Sequence, residues 1–324
     1  MVQNSGTKSC FNDLFFLYCP TRQLEAKDFL MDNIAKTAKF WDQVEVSRPK
    51  QFWDLPVVQK YRNRLVSENE DLGYLEWFAE KYVKHPAEKG ISIGCGSGQM
   101  DRTAIKLGLA RQMVGIDIAP NRLKKAEELS AGMPIEYFQQ DLNRIHLNKG
   151  SYDFAICKTI LHHIENLEHV LGELRNALVW RSLIYVDEYV GPKRFQFSEK
   201  VLNVADKVLQ EIPPELRQLH YAPFEIKTKI NRINAENLIA ADPSEAVRSN
   251  EIDRILKKYF NVLEERGAGG SLLFRLMDGI CHNFDAANKK HNQILKLFCD
   301  FEETLIKEKV LPEIFKVYVL KTTD

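Results

Sequence analysis

The stretch Gly90-Ile91-Ser92-Ile93-Gly94-Cys95-Gly96-Ser97-Gly98-Gln99, followed by Met113-Val114-Gly115-Ile116-Asp117, decides how the chain is read. Ile91 to Ile93 has the length of a buried strand, and Gly94, Gly96 and Gly98 follow it at every second position. A loop so poor in Cβ atoms turns tightly and lets a ligand lie against its backbone. Gln99 to Leu107 reads as a helix whose N-terminus faces that loop. Met113 to Ile116 reads as a second strand, and Asp117 closes it about 20 residues beyond the glycines, where a carboxylate accepts both hydroxyls of a ribose.

The glycine spacing separates two ligand classes. A dinucleotide loop prefers G-x-G-x-x-G with a pyrophosphate on the helix N-terminus, whereas this loop is G-x-G-x-G. A third acidic position, Asp141-Leu142, follows another strand-like run, Ile135 to Gln139. Glycine loop, ribose acid and later Asp-Leu pair, each at the end of a strand, resemble the S-adenosyl-L-methionine site of the class I methyltransferases. The bland alternative makes the glycines a mere strand-to-helix turn and Asp117 a helix cap before Pro120; the order of all three elements favours the ligand site.

That resemblance implies an α/β fold with a Rossmann-like seven-stranded mixed sheet whose last strand is antiparallel. It also implies S-adenosyl-L-methionine as cofactor and S-adenosyl-L-homocysteine as product. Carried over position by position, it sets the loop Gly94, Cys95, Gly96 and Gly98 against the methionine part of the cofactor. Asp117 binds the ribose, Ile118 packs on the adenine, Asp141 accepts from its exocyclic amine and Leu142 lies beside it. Lys158 falls where the family lines the methionine portion with backbone or a small polar side chain, so a lysine there departs from the pattern.

Composition narrows the function further. Lys+Arg and Asp+Glu are both 45, a neutral balance that offers no global field for nucleic acid or an anionic membrane. Six cysteines, at 10, 19, 95, 157, 281 and 299, form no C-x-x-C pair, which argues against zinc and disulfide frameworks and suits a reducing cytoplasm. The apolar run from Cys10 to Pro20 is broken by Asn12 and Asp13 and has no basic n-region, so neither a signal peptide nor a membrane span is expected.

Along the chain, residues 1–24 read as a loose arm, and helical patterns over Glu25 to Val44 and Asp71 to Tyr82 make residues 1–85 an N-terminal arm with cover helices. Trp53 and Tyr61, between those helices, either help to cover the cofactor or pack the helices onto the sheet. The core, 86–189, alternates strand and helix through Asn121 to Ser130, Ile135 to Gln139, Tyr152 to Cys157, Asn166 to Leu178 and Ser182 to Val186. In the fourth of these segments Leu167, Leu171, Leu174 and Leu178 form a core stripe. Alternation stops over 190–249, which reads as a helical lid, because long insertions at the carboxyl edge of such a sheet are usually functional. Residues 250–324 complete the core with strands at Phe260 to Glu265 and Phe315 to Leu320 and helices over Gly270 to His282 and His291 to Lys307.

Methyl transfer from a sulfonium needs alignment above all, and a base only where the acceptor carries a proton that must leave. His162 and His163, after the fourth strand, stand at the mouth of the expected site; His162 is the candidate base and His163 a candidate acceptor contact. No third ligand stands at a recognisable spacing from them, so no metal is expected. Glu188 and Tyr189 end the fifth strand and are the other catalytic candidates, while Arg194, Phe195, His220 and Tyr221 on the lid are candidates for holding the acceptor. Arg194 equally suits an ion pair, and the aromatics equally suit a small lid core.

These readings converge on an S-adenosylmethionine-dependent methyltransferase acting on oxygen or nitrogen of a small molecule, of saccharide or secondary-metabolite type, beneath the lid. The run Asp187 to Phe197 resembles one from a bacterial group of methyltransferases with no assigned substrate. A protein acceptor, a non-catalytic cofactor-binding scaffold and a nicotinamide oxidoreductase are the alternatives. No nucleic-acid or membrane partner is expected, and a homodimer is compatible with the sequence.

Overall fold

In the computed structural model, which describes residues 33–44 and 49–322, three helices come first: α1 (Asn33–Val44), α2 (Pro56–Ser67) and α3 (Tyr74–Tyr82). Then strands and helices alternate as β1 (Ala87–Ile93), α4 (Gln99–Lys106), β2 (Ala110–Asp117), α5 (Pro120–Leu129), β3 (Ile135–Gln139), β4 (Tyr152–Lys158), α6 (Leu167–Ala177) and β5 (Leu178–Tyr189). The segment that breaks this alternation holds α7 (Glu199–Gln210), a short hairpin of β6 (Gln218–Leu219) and β7 (Ala222–Ile226), and α8 (Ala235–Ala241). The chain closes with α9 (Ile252–Tyr259), β8 (Asn261–Gly267), α10 (Leu273–Leu276), α11 (Lys289–Lys307) and β9 (Phe315–Lys321).

Seven strands form one sheet in the order β3-β2-β1-β4-β5-β9-β8. The first five run parallel, and β9 is antiparallel to both β5 and β8. The register has a functional consequence. Ile93 lies level with Ile116 on one side and Cys157 on the other, and Cys157 lies level with Val186. The next residues, Gly94, Asp117, Lys158 and Asp187, therefore share one rim at the carboxyl edge. Between β1 and β4 the strand order reverses, which opens the crevice where ligands of open α/β sheets bind.

Alternation along the strands divides the core between the two faces. Ile91, Ile93, Val114, Ile116, Ala155 and Cys157 face α6 and α9, whose Leu167, Leu171, Leu174, Ile255 and Leu256 complete that layer. Met113, Phe154, Ile156 and Tyr185 pack with Trp77 and Phe78 of α3 in the other layer. Gly90 sits in this second layer because a Cβ there would come 2.4 Å from the Met113 sulfur.

Several expected elements shift. Leu178 opens β5 instead of ending α6, since the helix stops at Ala177. The helix expected over Gly270 to His282 shrinks to α10 and a 3-10 turn at Cys281–Asn283, with Gly279 in a left-handed conformation between them. Pro56 at the first helical position starts α2, which the sequence reading left unassigned. The expected arm, 1–24, and the first part of the Glu25 to Val44 helix lie outside the described residues.

Candidate functional site

The loop after β1 is tied to β2 through its backbone. Gly94 and Cys95 both donate their N–H to the Ile116 carbonyl, at 2.8 and 3.0 Å, and Gly98 donates to Cys95 at 3.0 Å. Gly94, Gly96 and Gly98 all take left-handed φ angles, which is why this loop is glycine at every second position. Cβ atoms would also meet neighbours: 2.1 Å from Ile160 at Gly94 and 2.1 Å from the Tyr137 hydroxyl at Gly98. Cys95 is buried on the floor of the loop, and burial, helped by Asp101 and Asp117, pushes its thiol far up, so it serves as a small apolar residue.

Asp117 organises the loop as well as facing it. One carboxylate oxygen accepts the Gly96 N–H at 2.8 Å and the other the Ala119 N–H at 3.0 Å. A carboxylate has about four acceptor positions, so one lone pair on each oxygen is left for a pair of hydroxyls. Beyond it, Ile118 and Gln139 line a groove of about 550 Å³ whose other wall is Ala35, Ala38, Lys39 and Asp42 of α1. The Gln139 amide donates to the Ile118 carbonyl at 3.1 Å. Asp141 caps the turn Leu142–Arg144 through Oδ1, which accepts the Asn143 N–H at 3.0 Å. Its Oδ2 is buried without a hydrogen bond and lies 3.7 Å from Arg144 Nε, an ion pair that leaves acceptor capacity on the oxygen. Leu142 is buried beside it.

The cover helices divide between the two roles that Trp53 and Tyr61 left open. Helix α1 borders the groove, whereas α2 belongs to the core: Tyr61 is buried with its hydroxyl on Glu302, and Trp53 packs edge-on to Phe52 and Phe315. Trp41 of α1 packs on Arg122 and, edge-on at 4.9 Å, on His163. Helix α1, which walls the groove at Ile118, thus also reaches the histidine pair through Trp41.

After β4, residues 160–163 wrap around Glu188. This carboxylate is fully buried; Oε2 accepts the N–H groups of Ile160 and Leu161, at 2.8 and 2.6 Å, and Oε1 those of Tyr189 and the His162 ring at Nδ1. The other ring nitrogen of His162, Nε2, lies 3.6 Å from Glu245 Oε1, which comes from the segment after α8. His163 Nδ1 is 3.0 Å from the Ser244 hydroxyl and 3.7 Å from Asp242 Oδ2. Burial pulls His162 toward neutrality, but Glu188, Glu245 and Asp242 outweigh it and raise its pKa. Burial holds His163 well below its ordinary value, reinforced by the charges of His162, Arg122 and Arg194. Glu245 is pushed up to about 7 by burial, against the pull of His162.

The remaining candidates fall elsewhere. Glu188 is enclosed by its own loop and orients His162 instead of meeting an acceptor. Tyr189 is buried, stacked on Phe274, with its hydroxyl on the Pro192 carbonyl at 3.0 Å, so the expectation of a catalytic role gives way to packing. Phe195 joins that same aromatic cluster. Arg194 donates a guanidinium N–H to the Glu245 carbonyl at 2.6 Å and its backbone N–H to Ala246, which anchors the lid segment. Lys158 is half-exposed, 3.8 Å from Asp187 Oδ2. His220 lines a different cavity, about 500 Å³, with Lys50, Cys281 and His282, and Tyr221 is half-exposed next to it; neither shares a lining residue with the groove at Ile118.

Asp242, Ser244 and Glu245 were missed from sequence. Asp242-Pro243-Ser244-Glu245 has the composition of an ordinary turn, and only the fold brings it to His162 and His163. It also supplies the third group beside the histidines that their spacing did not reveal.

Residues 91–185 match the family model described as "Methyltransferase domain". The chain carries a class I methyltransferase domain. A demethylmenaquinone methyltransferase of Desulfitobacterium hafniense is 27% identical over 155 residues, 46% of this chain and 59% of the relative. A ubiquinone biosynthesis O-methyltransferase of Erwinia tasmaniensis is 25% identical over 188 residues, 48% of this chain and 74% of the relative. The chain thus spans little more than half the length of the first of these. Among solved structures, phosphoethanolamine N-methyltransferase 2 of Haemonchus contortus, determined with S-adenosyl-L-methionine, aligns with 89% of this chain and 60% of its own. Its TM-score is 0.51 at 12% identity, which bears on the methyltransferase fold alone.

Proposed function

We propose that this protein transfers the methyl group of S-adenosyl-L-methionine to an oxygen or nitrogen of a small molecule. The observation that carries the reading is Asp117. Its carboxylate shapes the glycine loop through Gly96 and keeps acceptor capacity turned to the same crevice. Asp141 Oδ2, which makes no hydrogen bond, and the groove at Ile118 fit an adenine amine and ring. When bound, the cofactor supplies an electrophilic methyl on a sulfonium that leaves as a neutral thioether.

The chain's own residues then hold and enclose. The left-handed turns at Gly94 and Gly96 shape the loop that would take the methionine portion, and α1 borders the adenine side. His162 is the group placed to take a proton from an acceptor hydroxyl or ammonium, its Nδ1–H held by Glu188 so that Nε2 points toward the lid. The segment 190–249 acts as that lid: the Val247 N–H donates to the His162 carbonyl at 3.0 Å. An acceptor enclosed this way is small, in keeping with the demethylmenaquinone and ubiquinone-biosynthesis relatives. No helix among the described residues is long and apolar enough to cross a membrane. Four described cysteines are buried free thiols, which suits a reducing cytoplasm.

Calorimetric titration with S-adenosyl-L-methionine, S-adenosyl-L-homocysteine and NADH tests the donor. Binding of the first two alone is the expected result, and preference for NADH overturns the reading. Transfer of labelled methyl into a low-molecular-weight cell extract tests the acceptor. Label only in the macromolecular fraction means a protein substrate, and donor binding without any transfer means a scaffold.

A further inference from the structure

Two buried oxygens beside the histidine pair, Glu245 Oε1 and Asp242 Oδ2, have no hydrogen-bond partner, although both carboxylates are at least nine-tenths buried. Each faces an imidazole nitrogen at a distance too long for a hydrogen bond: 3.6 Å from Glu245 to His162 Nε2 and 3.7 Å from Asp242 to His163 Nδ1. Yet 3.6 Å is the span of two ligand atoms that share one ion. With metal–nitrogen and metal–oxygen distances of about 2.1 Å, it corresponds to a ligand–metal–ligand angle of about 120°. One ligand atom each from His162, His163 and Glu245 lies within 4.8 Å of the others.

We propose that His162, His163 and Glu245 bind one divalent transition-metal ion of the zinc class. Two imidazoles and one carboxylate make an N/O donor set suited to such an ion and leave further positions open. The tautomer is already chosen. His162 Nδ1 carries the proton donated to Glu188, so Nε2 presents a lone pair toward Glu245, the carboxylate–histidine–metal arrangement seen around protein-bound zinc. The site straddles two elements: both histidines follow β4, and Glu245 belongs to the lid. A bound ion therefore ties the lid to the core and presents an open position where an acceptor oxygen would coordinate. It takes the place of a proton on Nε2, so in the loaded protein an acceptor hydroxyl on the ion would lose its proton to solvent water, the methyl would pass to the resulting oxygen, and the thioether would leave. Only this last step rests on the proposed methyl transfer.

The test uses the full chain, stripped with a chelator and free of donor and acceptor, so its outcome is independent of the methyl-transfer reading. Zn²⁺ is titrated in competition with a chromophoric chelator, and Co²⁺ is added in parallel as a visible reporter of nitrogen and oxygen ligation. Saturation at one equivalent is expected, with Glu245→Gln and His163→Gln each weakening it at least about 100-fold, beyond the loss that follows removal of an outer-shell partner. Thermal melts of the metal-free variants confirm that they fold, and the cobalt spectrum of the unmodified protein keeps the test decisive where a variant does not. No saturation at one equivalent, or binding unchanged in folded Glu245→Gln, overturns the site.

Discussion

Replacing Asp117 by alanine separates ligand contact from loop support, because this carboxylate holds the loop and is proposed to hold the ribose as well. On the protein side, two backbone N–H groups, Gly96 and Ala119, lose a charged acceptor. Both hydrogen bonds are buried, so the fold is expected to weaken by about 2 to 6 kcal/mol, the usual cost of two unsatisfied donors. On the ligand side, two ribose hydroxyls lose the same acceptor at about 1.5 kcal/mol or more each. Together that is about 3 kcal/mol, or roughly 100-fold in affinity for S-adenosyl-L-homocysteine. Calorimetry on Asp117→Ala gives the total. Comparison with a 2′-deoxy analogue isolates the contact: the unmodified protein discriminates between the two ligands and the variant does not. An affinity within threefold of normal in folded variant, or discrimination that survives it, refutes the ribose assignment.

Three further outcomes follow from the same geometry. Asp101 is fully buried, and burial pushes its pKa up to about 7, with hydrogen bonding to Ser92 opposing the shift. The folded state thus keeps a proton that the unfolded chain loses near pH 4, so the stability penalty is absent in acid, grows as pH rises and is complete above 7; Asp101→Asn should raise stability by up to about 4 kcal/mol at pH 8 and by nothing at pH 4, and a pH-independent difference in denaturant midpoint defeats the argument. Gly98→Ala places a Cβ 2.1 Å from the Tyr137 hydroxyl on a left-handed backbone, so melting should fall by several degrees with donor affinity, whereas an unaltered melt sinks the strained-loop account. Glu188→Gln turns an amide donor toward N–H groups whichever way it is flipped, and about 2 to 4 kcal/mol should be lost in urea unfolding; an unchanged midpoint shows that Glu188 does not hold the post-β4 turn.

By itself the sequence determined the first five strands, their parallel order of appearance, and the loop from Gly94 to Asp117. Those features are local: strand length and helical period set what is buried, and glycine alone tolerates the left-handed φ at Gly94, Gly96 and Gly98. Asp141, two residues beyond β3, stands after a strand-like run as the sequence indicated, and caps the next turn. Tertiary structure decided the partners of the polar groups. Glu188 looked like a catalytic acid at a strand end until the turn at 160–163 folded over it. Arg194 suited an anionic acceptor or an ion pair equally, and only the fold brings the Glu245 and Ala246 carbonyls to it; Glu245 itself lies about 80 residues from the histidines it faces. A buried charge takes whichever partner the packing brings within reach, and that choice costs or contributes several kcal/mol without leaving a period or spacing in the chain. Sequence therefore located the glycine loop, and the fold alone assembled the histidine–carboxylate cluster.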